Sequence, residues 1–208
     1  MEGVLPMTTL ILASGNRGKL KEFADLLQPL GLHLRAASDQ GIDDFPPEDG
    51  DSYRANASIK AKHACARSGK PALADDSGIE VDALDGAPGI YSARFGNVSS
   101  DAERLVYLLE QIRDVPEAQR GARFVCAIAL ALPDGREKHF QASCPGTMLY
   151  EARGQGGFGY DPAFFSPELG KTFAEASRAE KHRVSHRGHA LRALLAWAKS
   201  PEGQAWLA

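Results

Sequence analysis

The 208-residue sequence has few cysteines, no excess of positive charge and no long hydrophobic run. Its three cysteines, Cys65, Cys126 and Cys144, are widely spaced and form no CxxC pair, which argues against a disulfide framework and predicts reduced thiols. The formal net charge of −3 excludes the strong basic excess typical of nucleic-acid binders. The longest apolar run, Phe124 to Leu132, has the length of a strand and is too short to span a membrane.

The amino terminus makes a poor signal peptide, because Glu2 and Pro6 interrupt its short apolar run. Together with the reduced cysteines, this predicts a cytoplasmic protein. A single domain over residues 1–208 is expected, with residues 1–7 as a loose extension. The lack of a basic excess argues against a nucleic-acid partner, and the lack of a long apolar run argues against a membrane partner. A small anionic ligand stays possible, since a few basic side chains focused in a cleft are enough to bind one.

Strand and helix patterns alternate along the first half of the chain. Thr8 to Ser14 is predicted to be a buried strand, followed by a glycine-containing turn and a helix that stops at Gly31. An alanine-rich helix is predicted from Tyr53 to Arg67. Two short strands are predicted within Ala72 to Leu84, separated by a turn at Asp75-Asp76-Ser77-Gly78, because this composition is typical of turns.

Predicted strands and helices also alternate in the second half of the chain. Asp101 is predicted to cap a helix, and Arg123 to Leu132 pairs with Glu137 to Ser143 in a hairpin around an Asp-Gly turn. Ser177 and Glu180 have the spacing of a capping box at the start of a helix. Strands and helices that alternate throughout predict an α/β fold with a mixed sheet.

The first candidate site lies between the first strand and the first helix, at Ser14-Gly15-Asn16-Arg17-Gly18-Lys19. Glycine lets the backbone approach an anion, and the amides and dipole of a helix start favour negative charge. Lys19 places a positive charge where a helix normally prefers acidic residues, which a bound phosphate would explain. The spacing differs from that of a Walker A motif. A plain turn with an exposed lysine is the alternative.

The second candidate is Asp75-Asp76-Ser77-Gly78, with Glu48 in an upstream loop. Carboxylate oxygens suit Mg²⁺, which one or two carboxylates commonly hold together with phosphate oxygens and water. Neighbouring strand residues face opposite ways, so one aspartate is expected to face the ligand and the other to support it. The alternative is an Asx turn on a solvent-facing hairpin.

The third candidate is the glycine-rich segment from Gly154 to Pro162, which formally matches G-x-G-x-x-G. A dinucleotide fingerprint must open a helix, whereas Tyr160-Asp161-Pro162 favours extended backbone. An aromatic ring in such a loop, here Phe158, can instead stack on a base. A tight loop with a core phenylalanine is the alternative.

The fourth candidate is Lys181-His182-Arg183-Val184-Ser185-His186-Arg187, followed by His189. A zinc site is disfavoured because no cysteine is adjacent and Ser185 is expected to break the helical register between His182 and His186. Histidine and arginine at a helix start suit an anion or the carbonyl oxygen of a base. The alternative is a solvated basic turn.

Four segments, SGNRGK, ADDSGIEVDALDGAPGIYSARF, GGFGYDPAFF and K-x-x-x-S-H-R, together resemble the inosine triphosphate pyrophosphatase family, whose members are also called XTP/dITP diphosphatases. The resemblance extends from about Thr9 to Ala196, with the motifs in family order. It implies a mixed α/β fold of two lobes around a central substrate cleft, usually as a homodimer. It also implies Mg²⁺-dependent hydrolysis of ITP, dITP and XTP to the monophosphate and pyrophosphate, which removes them from the nucleotide pool.

The resemblance implies roles for the residues that would hold the phosphates and the metal. The loop from Ser14 to Lys19 would bind the triphosphate, and Lys60 would add a phosphate contact. Asp76 would be the proton acceptor and a Mg²⁺ ligand, Glu48 a second metal ligand, and Ser77 a substrate contact. Many family members have threonine where this chain has serine at the start of the first motif, and either residue supplies a hydroxyl.

The resemblance also implies a site for the base. The base-recognition loop would be Phe158-Gly159-Tyr160-Asp161, with Phe158 stacking on the purine. Lys181, His186 and Arg187 would close on the base and read its 6-keto oxygen. The expected partner is therefore a small nucleotide.

Overall fold

The computed structural model describes residues 9–27 and 33–207. The extension expected at residues 1–7 and the helix end expected at Gly31 lie outside these described residues. The helices are α1 (Arg17–Leu27), α2 (Tyr53–Ser68), α3 (Asp101–Gln111), α4 (Arg178–Val184), α5 (His186–Lys199) and α6 (Pro201–Leu207). The strands are β1 (Thr9–Leu12), β2 (His33–Ala36), β3 (Ala72–Val81), β4 (Gly121–Ala131), β5 (Glu137–Met148), β6 (Phe164–Ser166) and β7 (Lys171–Thr172).

The strands form one mixed sheet. Within the described residues it has seven strands in the order β2-β1-β3-β4-β5-β6-β7. β1 pairs in parallel with β2 and β3, whereas β6 pairs antiparallel with β5 and β7. The mixed α/β class predicted from the sequence is therefore confirmed.

The chain divides into two compact units. Unit 1 contains the described residues up to Asp76, Ala127–Gln141 and the described residues from Ala190 onwards, and unit 2 contains Ser77–Cys126 and Ala142–His189. The core of unit 1 consists mainly of alanine side chains, which let α2 pack closely against β1. The core of unit 2 contains larger aromatic and aliphatic side chains. Each unit thus has its own hydrophobic interior.

Helix α2 begins and ends close to the positions that the sequence predicts. Ser52 precedes it, and the Ser52 Oγ accepts a hydrogen bond of 3.2 Å from the backbone N–H of Ala55. Gly69 follows it with a φ of 64°, a left-handed conformation that favours glycine at a helix end. The helix runs to Ser68, one residue beyond the predicted end. The prediction of an alanine-rich helix is confirmed.

Strand β3 corrects the prediction of two short strands separated by a turn. It is one continuous strand, and Asp75 and Asp76 lie within it with 1% and 5% of their surface exposed. The local composition is typical of turns, but the fold supplies a lysine partner for each carboxylate. Because paired charges tolerate burial, these tertiary contacts override the local preference.

The start of α3 corrects a second prediction. Ser100, not Asp101, caps this helix: the Ser100 hydroxyl accepts from the N–H of Glu103, and the Glu103 carboxylate accepts from the N–H of Ser100. Serine and aspartate cap helices about equally well, but only serine at position 100 has a glutamate at the spacing of a capping box. The capping box predicted for Ser177 and Glu180 is confirmed at the start of α4.

The predicted hairpin is also confirmed. β4 and β5 are neighbours in the sheet, and Gly135 turns the chain between them with a φ of 89°. The apolar run predicted as a strand lies mostly in β4, whose residues from Phe124 onwards are buried. Among the described residues, no helix has the length and apolar character needed to cross a membrane.

Candidate functional site

The turn between β1 and α1 is held by its own side chains. The N–H of Asn16 donates to Ser14 Oγ at 3.2 Å, and the N–H of Lys19 donates to Asn16 Oδ1 at 3.1 Å. A Cβ at Gly15 would meet no atom within 4 Å, so packing does not explain this glycine, whereas the close approach of a ligand would. The side chain of Arg17 lies outside the described part of the structure.

Lys19 is not the exposed lysine of a plain turn. Its Nζ lies 3.0 Å from Asp75 Oδ2, and the Asp75 side chain has no exposed surface. The ion pair therefore ties the first turn of α1 to the middle of β3. The expectation of an exposed lysine in the alternative interpretation is wrong, because Lys19 pairs with a buried carboxylate.

Lys60 brings together the two carboxylates proposed as metal ligands. Its Nζ lies 2.5 Å from Glu48 Oε1 and 3.9 Å from Asp76 Oδ1. The exposed fractions of the Lys60, Glu48 and Asp76 side chains are 10%, 28% and 7%. Asp75 and Asp76 are therefore buried acids with basic neighbours, so the alternative of a solvent-facing Asx turn is wrong.

The electrostatics of this cluster differ between the acid and the base. Burial raises the pKa of Asp76 above its ordinary value, although Lys60 and Lys19 act in the opposite direction. Burial by itself lowers the pKa of Lys60, but Asp75, Glu48 and Asp76 together outweigh burial and raise it. Lys60 is therefore a cation, and Asp76 is a carboxyl group whose affinity for a proton is increased.

The donor set fits a magnesium ion that is shared with a phosphate ligand. Among residues 9–27 and 33–207, no three His, Cys, Asp or Glu side chains lie close enough together to hold a metal by themselves. Mg²⁺ commonly takes only one or two carboxylates and completes its shell with phosphate oxygens and water. Glu48 and Asp76 supply hard oxygen ligands of this kind.

Asn56 is a buried member of this cluster that the sequence analysis missed. It is fully buried, and its Nδ2 donates to Asp76 Oδ2 at 3.1 Å. One sequence signal could have found it: Asn56 is a polar residue one helical turn before Lys60 on an alanine-rich helix. Residues at this spacing share a helix face.

Unit 2 contains the glycine-rich loop. Asp161 Oδ2 accepts from the backbone N–H of Phe158 at 2.8 Å and from Lys181 Nζ at 2.6 Å. Lys181 Nζ also lies 4.9 Å from the centre of the Phe158 ring. Gly157 has a φ of 70°, and a Cβ there would collide with the Asp161 carboxylate. The loop therefore folds around one buried ion pair, and no helix follows it, as predicted.

The phenylalanine of this loop is only partly buried, so it is not a core residue. Its neighbours anchor the loop instead: the N–H of Gly159 donates to Asp101 Oδ2 at 3.1 Å, and Tyr160 OH donates to the carbonyl of Ser92 at 2.8 Å. Burial raises the pKa of Tyr160, which keeps its hydroxyl neutral. The anchored backbone leaves the Phe158 ring as the accessible aromatic surface of the loop.

The basic segment after the loop is buried rather than solvated. Ser185 ends α4 in an extended conformation, and its Oγ accepts from the N–H of Gly188 in α5 at 3.1 Å, which confirms the predicted helix break. Lys181, His186 and Arg187 expose 5%, 3% and 2% of their surface. The alternative of a solvated basic turn is wrong.

His186 and Arg187 make defined contacts within unit 2. The His186 ring stacks on Phe124 with centroids 4.7 Å apart and an interplanar angle of 11°. Arg187 Nη2 donates to Ser77 Oγ at 3.3 Å, and its Cζ lies 5.7 Å from the Phe158 ring centre. Buried basic groups beside an accessible aromatic ring are suited to hydrogen bonding with a planar ligand that stacks on that ring.

Comparison with known proteins gives consistent matches over most of the chain. Residues 10–197 match the profile of the Ham1 family. A dITP/XTP pyrophosphatase from Thermus thermophilus is 50% identical over 186 residues, which is 89% of this chain and 89% of that protein. The dITP/XTP pyrophosphatase of Shigella flexneri is 48% identical over 91% of this chain and 97% of its own length. The solved structure of a HAM1 protein from Coxiella burnetii has a TM-score of 0.81 at 39% identity, covering 90% of this chain and 96% of that one.

Proposed function

Because the chain belongs to the Ham1 family, we propose that it hydrolyses the deaminated purine nucleoside triphosphates ITP, dITP and XTP. The products are the nucleoside monophosphate and pyrophosphate, and the reaction removes these nucleotides from the pool. The dITP/XTP pyrophosphatases at 47–50% identity to this chain support this substrate class. The observation that carries the proposal is the buried cluster in which Lys60 joins Glu48 and Asp76.

The phosphates are proposed to bind in unit 1. The backbone from Ser14 to Lys19 lies at the start of α1, where peptide N–H groups and the helix dipole favour an anion. Lys19, which pairs with Asp75, and Lys60, which pairs with Glu48, would also contact the phosphates. Mg²⁺, when held by Glu48 and Asp76, would neutralise the triphosphate and polarise the attacked phosphorus.

Asp76 is proposed as the proton acceptor for the attacking water. A general base works best when its pKa approaches the working pH, and burial shifts the Asp76 pKa in that direction. Asn56 bonds one oxygen of this carboxylate and Lys60 lies beside the other, so its orientation is defined. Attack at the α-phosphorus would expel pyrophosphate.

The base is proposed to bind in unit 2, where Phe158 would stack on the purine. His186 and Arg187 would donate to the 6-keto oxygen, and the amino group of adenine would meet the same donors unfavourably. A site built around buried donors rejects a ligand that leaves them unpaired. Ser77, which contacts Arg187, follows Asp76 directly in the chain.

A panel of triphosphates tests the proposal. ITP, dITP, XTP, GTP, ATP and a modified pyrimidine triphosphate would each be assayed separately for pyrophosphate and orthophosphate, with and without Mg²⁺. The proposal requires pyrophosphate from ITP, dITP and XTP only when Mg²⁺ is present. Orthophosphate release or a preference for the pyrimidine would indicate another nucleotide hydrolase, and tight binding without turnover would indicate a nucleotide-binding regulator.

Arg187→Ala tests the base-reading role. A hydrogen bond from a charged donor contributes about 1.5–3 kcal/mol, so KM for ITP should rise by roughly 10- to 150-fold. The fall in kcat should be smaller, because the phosphates and Asp76 are untouched. Steady-state kinetics with ITP would separate the two parameters.

Arg183→Ala is the matched control for Arg187→Ala. Arg183 lies in α4 and forms an exposed ion pair with Glu168 at 3.1 Å, with 63% of its side chain exposed. Its removal should leave both kinetic parameters close to those of the wild type. A pure kcat effect in Arg187→Ala would argue against base reading.

A homodimer and a cytoplasmic location complete the proposal. The homodimer follows from the family resemblance, and the location follows from the expected reduced state of the cysteines and the poor signal peptide. Sedimentation equilibrium of the purified chain measures the first, and a sedimenting mass of one chain at micromolar concentration would contradict it.

A further inference from the structure

Asn56 is an uncharged polar side chain in the interior of unit 1. It lies on α2 with 0% of its surface exposed, and Ala57 and Ala61 of the same helix are buried as well. Burying an amide is costly unless its donor and acceptor are both satisfied. Alanine side chains have no polar atoms, so these neighbours on α2 cannot satisfy the amide.

Both ends of the Asn56 amide have a partner. Nδ2 donates to Asp76 Oδ2 at 3.1 Å, and Oδ1 accepts from the backbone N–H of Gly50 at 2.9 Å. These partners fix the orientation of the amide, because a backbone N–H can only donate and an ionised carboxylate can only accept. The side chain therefore connects β3 to the loop before α2.

Gly50 approaches Asn56 so closely that it has no room for a side chain. A Cβ at this position would lie 2.8 Å from Asn56 Oδ1 and 2.7 Å from the Cβ of Ala55. Glu48 is two residues earlier in the same loop. The contact with Asn56 therefore fixes the backbone that carries Glu48.

These contacts close a ring within unit 1. From Asp76 it runs through Asn56 to Gly50, along the loop to Glu48, and through Lys60 back to Asp76. Asn56 holds Oδ2 of Asp76, while Oδ1 is the oxygen on the Lys60 side. One amide thus sets both the rotation of the Asp76 carboxylate and the position of the loop that presents Glu48.

We propose that Asn56 is a positioning residue that sets the spacing and orientation of Glu48 and Asp76. This inference rests on the proposed function, in which the two carboxylates share a metal and Asp76 accepts a proton. Mg²⁺ demands near-ideal octahedral geometry, so small displacements of its ligands are costly. A displacement of about 1 Å at a reacting group can lower a rate by about 10²-fold.

Asn56→Ala and Asn56→Asp separate the two contacts. Alanine removes both hydrogen bonds, whereas aspartate keeps an acceptor for the Gly50 N–H and replaces the donor to Asp76 with a carboxylate. Both variants should lower kcat for ITP by about 10²-fold, with a smaller change in KM, because the base contacts remain. In Asn56→Ala, the Mg²⁺ concentration for half-maximal rate should also rise by about 10- to 100-fold.

Ser58→Ala is the matched control on the same helix. Ser58 is partly buried, and its Oγ lies 2.7 Å from His139 Nε2, so the variant also removes a side-chain hydrogen bond within unit 1. Its kcat and Mg²⁺ dependence should match those of the wild type. If Asn56 had a merely structural role, the two Asn56 variants would have lower melting temperatures without a specific change in kcat or in Mg²⁺ dependence.

The binding of Mn²⁺ to the protein supplies a readout that does not depend on turnover. Electron paramagnetic resonance would measure Mn²⁺ affinity in the presence of the α,β-methylene analogue of ITP, and Asn56→Ala should weaken it by about 10- to 100-fold. Wild-type kcat and Mn²⁺ affinity in a folded Asn56→Ala variant would overturn the inference. If the alanine variant does not fold, Asn56→Asp decides the question, because wild-type kcat in that variant would overturn the inference as well. Absence of turnover in the wild type would contradict the proposed function alone, and Mn²⁺ affinity would still decide the role of Asn56.

Discussion

Asp76→Asn is expected to lower kcat for ITP by between about 10² and 10⁴, the range that a positioned general base contributes. The amide keeps the shape of the carboxylate and an oxygen that accepts from Asn56 Nδ2. It cannot accept a proton from water, and it is a weaker metal ligand. Steady-state kinetics at saturating ITP and Mg²⁺ would measure the loss.

Asp44→Asn is the matched control for this change. Asp44 makes an ion pair of 2.7 Å with Arg67 in the same unit, but 62% of its side chain is exposed. The same chemical change at this position should leave kcat unaltered. An Asp76→Asn variant with turnover close to that of Asp44→Asn would remove Asp76 from the mechanism.

The same substitution should increase stability at neutral pH. Burial raises the pKa of Asp76 in the folded state, so the folded protein binds this proton more tightly than the unfolded chain. Stability is therefore lost as the pH rises from the unfolded pKa, near 3.8, through the folded pKa. Asparagine does not ionise, so its melting temperature should exceed that of the wild type at pH 8, and by less at pH 5. A lower melting temperature at both pH values would contradict this account.

Lys181→Met is expected to have the largest effect on stability. Lys181 and Asp161 form an ion pair of 2.6 Å in unit 2, with side-chain exposures of 6% and 3%. Removing one partner of a buried pair costs about 3–5 kcal/mol, because the other charge stays buried without its counterion. For a chain of this size the melting temperature should fall by roughly 6–20 °C. Calorimetry would measure the change.

Lys171→Met provides the comparison. Lys171 pairs with Glu180 at 3.0 Å in the same unit, but the two side chains are 36% and 41% exposed. Exposed pairs contribute about 0–1 kcal/mol, so this variant should lose little. Adding Asp161→Asn to Lys181→Met should recover part of the loss, because it removes the uncompensated charge. Equal losses of melting temperature in the two lysine variants would show that burial does not determine how much the Lys181–Asp161 pair contributes to stability.

The elements that were predicted correctly are those whose signals are local. The start and end of α2 follow from Ser52 and Gly69, and the break between α4 and α5 follows from Ser185. Capping and turn chemistry depends on a few neighbouring residues, so the sequence is enough to find it. The same holds for the hairpin between β4 and β5.

The cap of α3 was a local error, because Ser100 and Glu103 form a capping box that the neighbouring Asp101 obscured. The other errors occur where distant residues decide. Asp75 and Asp76 have the composition of a turn, but ion pairs with the lysines of α1 and α2 favour a buried strand there. The spacing of Asn56 from Lys60 is visible in the sequence, but its role depends on the backbone of Gly50 and a carboxylate on β3. Local patterns indicated which charged residues were candidates for the site, but the fold determines which of them pair.

The position of Cys144 has a consequence for thiol chemistry. Its Sγ lies 3.9 Å from His186 Nδ1, and burial raises its pKa to about 11. The reactive thiolate is therefore almost absent at neutral pH, and an alkylating reagent can reach the sulfur only when the surrounding structure opens. Its rate of alkylation thus reports how often the structure around it in unit 2 opens. A nucleotide bound to the neighbouring histidine should lower that rate.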